Sequence, residues 1–131
     1  MAASFVHLDV RSCFSLKEGA FTPEQLVART AELGMPAVAL TDRDGLYGAA
    51  RFVSACERAG VRPILGASIT VRPAKGPDAH VVLLAEDDRG YANLCRLLTD
   101  AHLLGERGDP WVATEQICAH ASGMTVLLGP R

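Results

Sequence analysis

Two short polar segments, each at the end of an apolar run, carry the residue types that could do chemistry in this sequence. One is TDRD at 41–44, which follows the apolar run 37–40, and the other is HLDVR at 7–11. Carboxylates and imidazoles coordinate metal ions or transfer protons, whereas guanidinium groups bind anions. In α/β folds the ligand site forms at the carboxyl ends of the strands. We therefore predict that both segments contribute to one site.

The composition is that of an ordinary globular domain. The chain has 131 residues, of which 49% are hydrophobic and 21% charged, and its formal net charge is −2. This balance gives no general basic surface for nucleic acid. The sequence has no apolar run of roughly 18 residues and no basic segment followed by an apolar one at its start, so it predicts neither a membrane span nor a secretory signal. We expect a cytoplasmic protein without a membrane partner.

The four cysteines are widely spaced, at Cys13, Cys56, Cys95 and Cys118. None forms a C-x-x-C pair, so a zinc knuckle is disfavoured. The absence of an export signal also argues against a disulfide framework. Cys56 and Cys95 fall among apolar helical positions and are interpreted as buried structural thiols.

Strand and helix signals alternate along the chain and predict an α/β fold. The predicted strands cover 5–10, 37–41, 63–71, 80–85 and 124–128. The first helix begins at Thr22-Pro23-Glu24-Gln25, a capping box with proline at the first helical position, and ends at Gly34. The later helices cover about 45–59, 87–103 and 114–121, with Asp44 predicted to cap the first of them.

The connection 72–79 is too short for a crossover helix. Strands 63–71 and 80–85 are therefore predicted to pair antiparallel if they are neighbours. A complete α/β barrel usually needs about 250 residues, so this chain would supply roughly half of one.

Four stretches together resemble one known family. They are FVHLDVRSCFSLKEGA, ALTDRDGLYGAARF, GVRPILGASITV and HVVLLAEDDRGYANLCRLL. In this order and spacing they resemble the N-terminal PHP (polymerase and histidinol phosphatase) domain of bacterial DNA polymerase III alpha subunits, and the TDRD run favours the error-prone type. The resemblance implies an α/β fold, the N-terminal half of a distorted PHP-type (β/α)7 barrel with about five strands and four helices. Residues 1–131 would then be a partial PHP domain, truncated before the barrel closes.

Active PHP domains bind a cluster of metal ions at the strand ends, and the resemblance locates the corresponding positions here. The last two histidines of the H-x-H-x-H motif correspond to Asp9 and Arg11. The histidine of the Thr-Asp-His motif corresponds to Arg43, and the glutamate that ends the third strand corresponds to Ser68. Arginine offers no acceptor and cannot be deprotonated in a protein, so these changes remove metal ligands.

Two ligand positions are retained, the loop carboxylate as Glu18 and the histidine that starts the fourth strand as His80. For His80 the preferred interpretation is a hydrogen-bonded histidine at a strand start, because most of the other metal ligands are missing. Glu18 and Asp42 are equally interpretable as loop and turn carboxylates. An Asp9–Asp42 acid–base pair is disfavoured because no nucleophile matches it. Phosphate binding at Arg43 stays open as a further interpretation.

We hypothesise that the site has been rebuilt without metal, so that we expect no catalytic residue, metal or cofactor in these residues. Arg11 and Arg43 would replace the cations, because arginine suits paired contacts with carboxylates. Their candidate partners are the neighbouring carboxylates Asp9, Glu18, Asp42 and Asp44.

Three functions compete. The first is a non-catalytic PHP domain that supports the rest of a DNA polymerase chain, with DNA bound through that parent chain. The second is an active metal-dependent phosphoesterase or 3′–5′ exonuclease. The third is a stand-alone binding module, which the open strand edges of half a barrel argue against. The first is preferred, and the exposed edges also predict that the chain forms a homodimer.

Overall fold

In the computed structural model, residues 4–128 form one sheet with four helices around it. The elements in chain order are α1 (Pro23–Glu32), β1 (Ala37–Leu40), α2 (Ala49–Ala59), β2 (Arg62–Arg72), β3 (Ala79–Ala85), α3 (Asp88–Leu104), β4 (Val112–Ala113), α4 (Thr114–Ala119) and β5 (Met124–Leu128). The mixed α/β class and the numbers of strands and helices are those that the sequence predicted. No helix within residues 4–128 has the length and apolar character needed to cross a membrane.

The 11-residue strand β2 is the centre of the sheet. β1 runs parallel to its first part, β3 pairs antiparallel along its second part, and β4 adds a short parallel pair at its end. β5 then pairs antiparallel with the other edge of β3. The predicted antiparallel pairing of strands 63–71 and 80–85 is confirmed, because a connection this short allows no crossover.

Two apolar clusters hold the helices to the sheet. On one side, Phe52 of α2 and Val27 of α1 pack against Val38 of β1, and all three are at most 1% exposed. Further along the same face of the sheet, α3 presents Leu94 and Leu97 to the β2–β3 region. All four residues of β1 are buried, because Ala39 packs against β3 on the opposite face of the sheet, so the carboxyl end of β1 is held in place from both faces.

Helices α1 and α3 begin where the sequence predicted, and side chains cap both of them. Thr22 accepts a hydrogen bond from the Gln25 amide at 3.2 Å, and Gln25 Oε1 accepts one from the Thr22 amide at 2.9 Å. Asp87 caps α3 by accepting from the Gly90 amide at 2.8 Å. These bonds satisfy amides that a helix start would otherwise leave unpaired.

The predicted strand at 5–10 was wrong. This segment lies beside β1, with the Ala39 amide donating to His7 O and the Thr41 amide to Val10 O, at 2.9 and 2.8 Å. The two acceptors, His7 and Val10, are three residues apart, whereas the two donors, Ala39 and Thr41, are two residues apart. The two segments therefore form no regular ladder of hydrogen bonds. The Val10 amide instead donates to the Thr41 hydroxyl at 2.9 Å, a side-chain partner that a strand prediction does not foresee.

The second helix also begins later than predicted. α2 starts at Ala49 after Gly48, and no side chain caps it. Asp44, the predicted cap, has a φ of 54° and lies within the turn before the helix. The two-residue strand β4 was missed because so short a pairing leaves no periodic pattern.

The cysteines are free, and Cys56 is completely buried as predicted. Burial in the apolar cluster raises the pKa of the Cys56 thiol to about 11. Cys95 is only partly buried, because its position on α3 lies at the edge of the packed face.

Candidate functional site

The TDRD run continues the edge of the sheet beyond β1. The Ser68 amide donates to Asp42 O at 3.1 Å, and the Asp44 amide donates to Ser68 O at 2.8 Å. Arg43 therefore forms a single parallel bridge with Ser68 of β2. Two positions that are far apart in sequence are fixed opposite each other by backbone hydrogen bonds alone.

Asp42 organises the loop that covers this strand end. Its carboxylate is 2% exposed and accepts three hydrogen bonds, from the Ser12 amide at 2.7 Å, the Ser12 hydroxyl at 2.8 Å and the Ser15 hydroxyl at 2.8 Å. The Ser15 hydroxyl also accepts from the Arg43 amide at 2.8 Å. The carboxylate thus folds residues 12–15 onto β1, a structural role in a turn.

The same loop closes tightly at Gly19. A Cβ added there would lie 2.0 Å from Ser12 O, so only glycine fits. The Glu18 and Gly19 amides both donate to Ser15 O at 3.0 Å. This tight turn places the Glu18 side chain over the end of the sheet.

Glu18 lies between two guanidinium groups. Its Oε2 is 3.2 Å from Arg11 Nη1, and its Oε1 accepts from Arg43 Nη1 at 2.6 Å. Arg11 Nη2 also donates to Ser68 Oγ at 3.1 Å. The bond to Glu18 is the main reason that the pKa of Arg43 is raised above its ordinary value. We call these four residues, Arg11, Glu18, Arg43 and Ser68, the ion cluster.

A cavity of about 150 Å³ opens at the ion cluster, and His80 of β3 completes its lining. His80 is exposed, and its Nδ1 lies 3.4 Å from the Thr70 hydroxyl. The fold therefore brings together five of the seven sequence-predicted site residues. Glu18 is the shared partner of both arginines, and Asp44 Oδ2 is a longer contact for Arg43 Nε at 3.5 Å.

The other two predicted site residues, Asp9 and Asp42, point to different partners. Asp9 Oδ1 accepts a hydrogen bond from the Thr41 hydroxyl at 2.8 Å, and the Asp42 carboxylate accepts hydrogen bonds from Ser12 and Ser15. Within residues 4–128, neither carboxylate forms an ion pair with an arginine, because Glu18 already meets both guanidinium groups.

Asp44 was predicted as a candidate partner of the arginines, and its contact with Arg43 confirms this, but its burial was not predicted. This residue is 9% exposed, has left-handed backbone geometry and carries one oxygen, Oδ1, that lacks a hydrogen-bond partner. Burial raises the pKa of the Asp44 carboxyl, although Arg43, His102 and His80 act in the opposite direction. His102 Nε2 donates to Asp44 O at 2.7 Å and anchors the turn to α3. The signal in the sequence was only an aspartate in a turn.

Comparison with known proteins identifies the family. The family model described as PHP domain matches residues 7–131. The chain belongs to the PHP domain family. Error-prone DNA polymerases are similar in sequence, with 46% identity over 116 residues for that of Anaeromyxobacter sp. (strain K) and 40% over 130 residues for that of Mycobacterium tuberculosis (strain ATCC 25618 / H37Rv). These alignments cover 88% and 93% of this chain but 10% and 12% of the relatives, so the chain spans about a tenth of their length.

Two solved structures share the fold. A protein of Bifidobacterium adolescentis assigned as a metal-dependent phosphoesterase superposes with a TM-score of 0.57 at 23% identity, covering 76% of this chain and 35% of its own. An amidohydrolase of Chromobacterium violaceum, with bound sulfate and no metal, gives a TM-score of 0.56 at 28% identity, covering 70% and 32%. This agreement supports the partial PHP barrel predicted from the sequence.

The residues of this PHP domain do not fit a metal cluster. Glu18 is occupied by two guanidinium groups, and the described part of the chain contains no group of three or more His, Cys, Asp or Glu residues arranged to hold a metal ion. At about 4 Å and an effective dielectric constant of 20, each unit of like charge costs about 4 kcal/mol. A divalent cation would therefore have to displace Arg11 and Arg43 from Glu18 before that carboxylate could bind it.

Replacing Asp42 with Asn should destabilise this PHP domain by at least about 2 kcal/mol. The substitution keeps the shape of the side chain but places an amide group among buried donors. Urea unfolding measures the change, and Glu32→Gln, which breaks an exposed pair with Arg29, should cost less than about 1 kcal/mol. Equal effects of the two variants would show that Asp42 does not organise the loop.

Replacing Asp44 with Asn should raise the free energy of unfolding at pH 7. The raised pKa of Asp44 means that the folded state binds its proton more tightly than the unfolded state, whose carboxyl keeps a pKa near 3.8. Stability from this group is therefore present at low pH and is lost as the pH rises through the folded pKa. The advantage of the variant should vanish as the pH falls towards 3.8. A gain that is independent of pH, or a loss at pH 7, would contradict the burial argument.

Proposed function

We propose that this chain is the N-terminal portion of an error-prone DNA polymerase, within which it acts as a structural, non-catalytic PHP domain. The support is the 40–48% identity to error-prone polymerases over most of the chain. On this proposal residues 1–131 are a partial PHP domain, and later residues of the same polypeptide close its barrel. Nucleotide transfer and DNA binding belong to those later residues, in a cytoplasmic polymerase.

The ion cluster carries the structural part of this proposal. Active members of the family use metal ions to neutralise carboxylates at the strand ends and to activate water. Here Arg11 and Arg43 supply positive charge at that place and join loop 12–19 to two strands through Glu18 and Ser68. With Asp44, the cluster contains two cationic and two anionic groups, so its formal charge is zero.

The principal partner on this proposal is the remainder of the polymerase chain. A second copy of this chain is a further candidate, because β5 ends the described sheet and its Val126 and Leu128 are 41% and 88% exposed. Unpaired edges of this kind attract additional strands. A concentration-independent monomer in light scattering would argue against the homodimer.

An activity assay distinguishes the structural proposal from the alternative, an active metal-dependent phosphoesterase or 3′–5′ exonuclease. In manganese, the chain should release no more phosphate from p-nitrophenyl phosphate than a protein-free blank, and should not shorten a single-stranded DNA at its 3′ end. This expectation follows from the missing ligands, since Arg cannot bind metal. A matched variant with Asp9→His, Arg11→His, Arg43→His and Ser68→Glu restores the ligand types and serves as the comparison.

The structural proposal is overturned if the unaltered chain hydrolyses either substrate and if Glu18→Gln and His80→Ala both abolish that hydrolysis.

The structural role itself predicts a different result for Glu18→Gln. This substitution should lower the temperature of thermal unfolding, because it leaves two guanidinium groups without their shared carboxylate. An unchanged unfolding temperature would mean that the ion cluster does not hold the loop.

Binding of a small oxyanion is a second candidate function of the same cavity. Its lining includes two guanidinium groups, the Ser68 hydroxyl and the His80 ring, all of which can donate hydrogen bonds to an oxyanion. The Glu18 carboxylate also lines the cavity, so an oxyanion would have to share the guanidinium groups with it. The amidohydrolase of Chromobacterium violaceum, at 28% identity, holds sulfate without a metal. Both observations favour a tetrahedral anion such as phosphate.

Phosphate or sulfate should therefore raise the unfolding temperature of the chain by mass action. Sodium chloride at the same ionic strength controls for general screening, and Arg11→Gln should remove the specific part of the shift. If chloride stabilises the chain as much as phosphate does, the cavity is not an anion site.

A further inference from the structure

A groove separate from the ion cluster runs between α2 and α3. It consists of two adjoining pockets of about 360 and 270 Å³ that share Leu65 and Tyr91 as lining residues. One pocket extends along α2 to Glu57, and the other extends past Pro63 to the start of α3. We call the two pockets together the α2–α3 groove.

The floor of the α2–α3 groove is apolar. Val53, Pro63 and Leu65 are half-buried. Tyr91, which lines both pockets, is 37% exposed. Each pocket exceeds the volume of one large aliphatic side chain. The floor therefore offers adjacent seats for apolar side chains that approach from outside, which is the arrangement used to bind amphipathic helices.

The charged residues that line the groove are all carboxylates. Glu57 lies at one end and Glu86, Asp87 and Asp88 lie at the other, with no Lys, Arg or His among the lining residues. No described residue forms an ion pair with any of these four carboxylates. Arg58, which follows Glu57 in the sequence, instead donates to the Ser54 hydroxyl at 3.3 Å. Some surface carboxylates of the chain do pair with arginine, as in Glu24–Arg51 and Asp78–Arg72, whereas the exposed Glu106 and Glu115 form no ion pair within the described residues.

The two features together specify the chemistry of an occupant. Four carboxylates without an ion-pair partner, one at one end of the groove and three at the other, are a local excess of negative charge on a chain whose whole formal net charge is −2. Such a patch accelerates and orients the approach of positive charge, while the apolar floor supplies the affinity. Asp87 and Glu86 also accept hydrogen bonds from the Gly90 amide and the Thr125 hydroxyl, so the patch is held in place.

We propose that the α2–α3 groove is a docking site for a basic amphipathic helix of a partner polypeptide. The apolar face of the helix fills the two pockets, and Lys or Arg residues beside that face meet the carboxylates at both ends. The site uses none of the residues of the ion cluster and does not depend on the proposed function.

The test uses a fluorescein-labelled helical peptide of roughly 18 residues, long enough to form a helix alone, composed of Leu, Ala and Lys. Leu recurs at i, i+3, i+4 and i+7, and Lys flanks this stripe. A matched peptide carries Glu in place of every Lys. Fluorescence anisotropy with the 131-residue chain in physiological salt should give a Kd at least about tenfold lower for the Lys peptide.

Variants of the chain assign the binding to the groove. Glu57→Lys with Asp88→Lys should weaken binding of the Lys peptide by at least about tenfold. Glu106→Lys with Glu115→Lys makes the same charge change on other exposed residues and should alter the Kd by less than about twofold. Tyr91→Ser should also weaken binding, because it removes part of the apolar floor.

The proposal is overturned by any of three results. The Lys peptide fails to bind at millimolar concentration, the two double variants weaken binding equally, or Tyr91→Ser leaves the Kd unchanged. The second result would indicate general charge attraction, and the third would exclude insertion into the groove. Far-ultraviolet circular dichroism of each variant confirms that it is folded before binding is measured.

Discussion

The buried carboxylate of Asp42 is the interaction on which the geometry of the site depends. It lies at the end of a strand that is itself buried, and it draws Ser12 and Ser15 down onto that strand. The loop that follows must then turn sharply at Gly19, which carries Glu18 back over the sheet. One desolvated acceptor with three donors thus determines where a second carboxylate is presented.

On the function proposed above, the position of Glu18 explains how a PHP fold persists without metal ions at its strand ends. Strand ends that converge on one point need a common charged partner, and either metal ions or guanidinium groups can supply the positive charge. Arg11 and Arg43 do so here through planar groups that bind both a carboxylate and a hydroxyl or second carboxylate. The end of the sheet is held by hydrogen bonds of the backbone and of Asp42, none of which involves a metal ligand position other than Ser68 through its backbone.

Local signals in the sequence were sufficient for much of the fold. The Thr22–Gln25 capping box and the short connection before β3 each act within a few residues, so they could be predicted. The segment 5–10 and the turn at Asp44 could not, because each depends on a distant partner, the Thr41 hydroxyl and Ser68 O. Motif resemblance pointed to the arginines and Glu18. The two serines that hold Asp42 carried no pattern that distinguishes them from other loop serines.

The metal content of the purified, tag-free chain tests the central claim most directly. The chain would be incubated with zinc and manganese, freed of unbound ions and measured by plasma mass spectrometry. Because Glu18 is held by two arginines, the account predicts less than about 0.1 ion per chain. One or more tightly held ions per chain would show that Glu18 and His80, with other ligands, form a working metal centre, and would contradict the account.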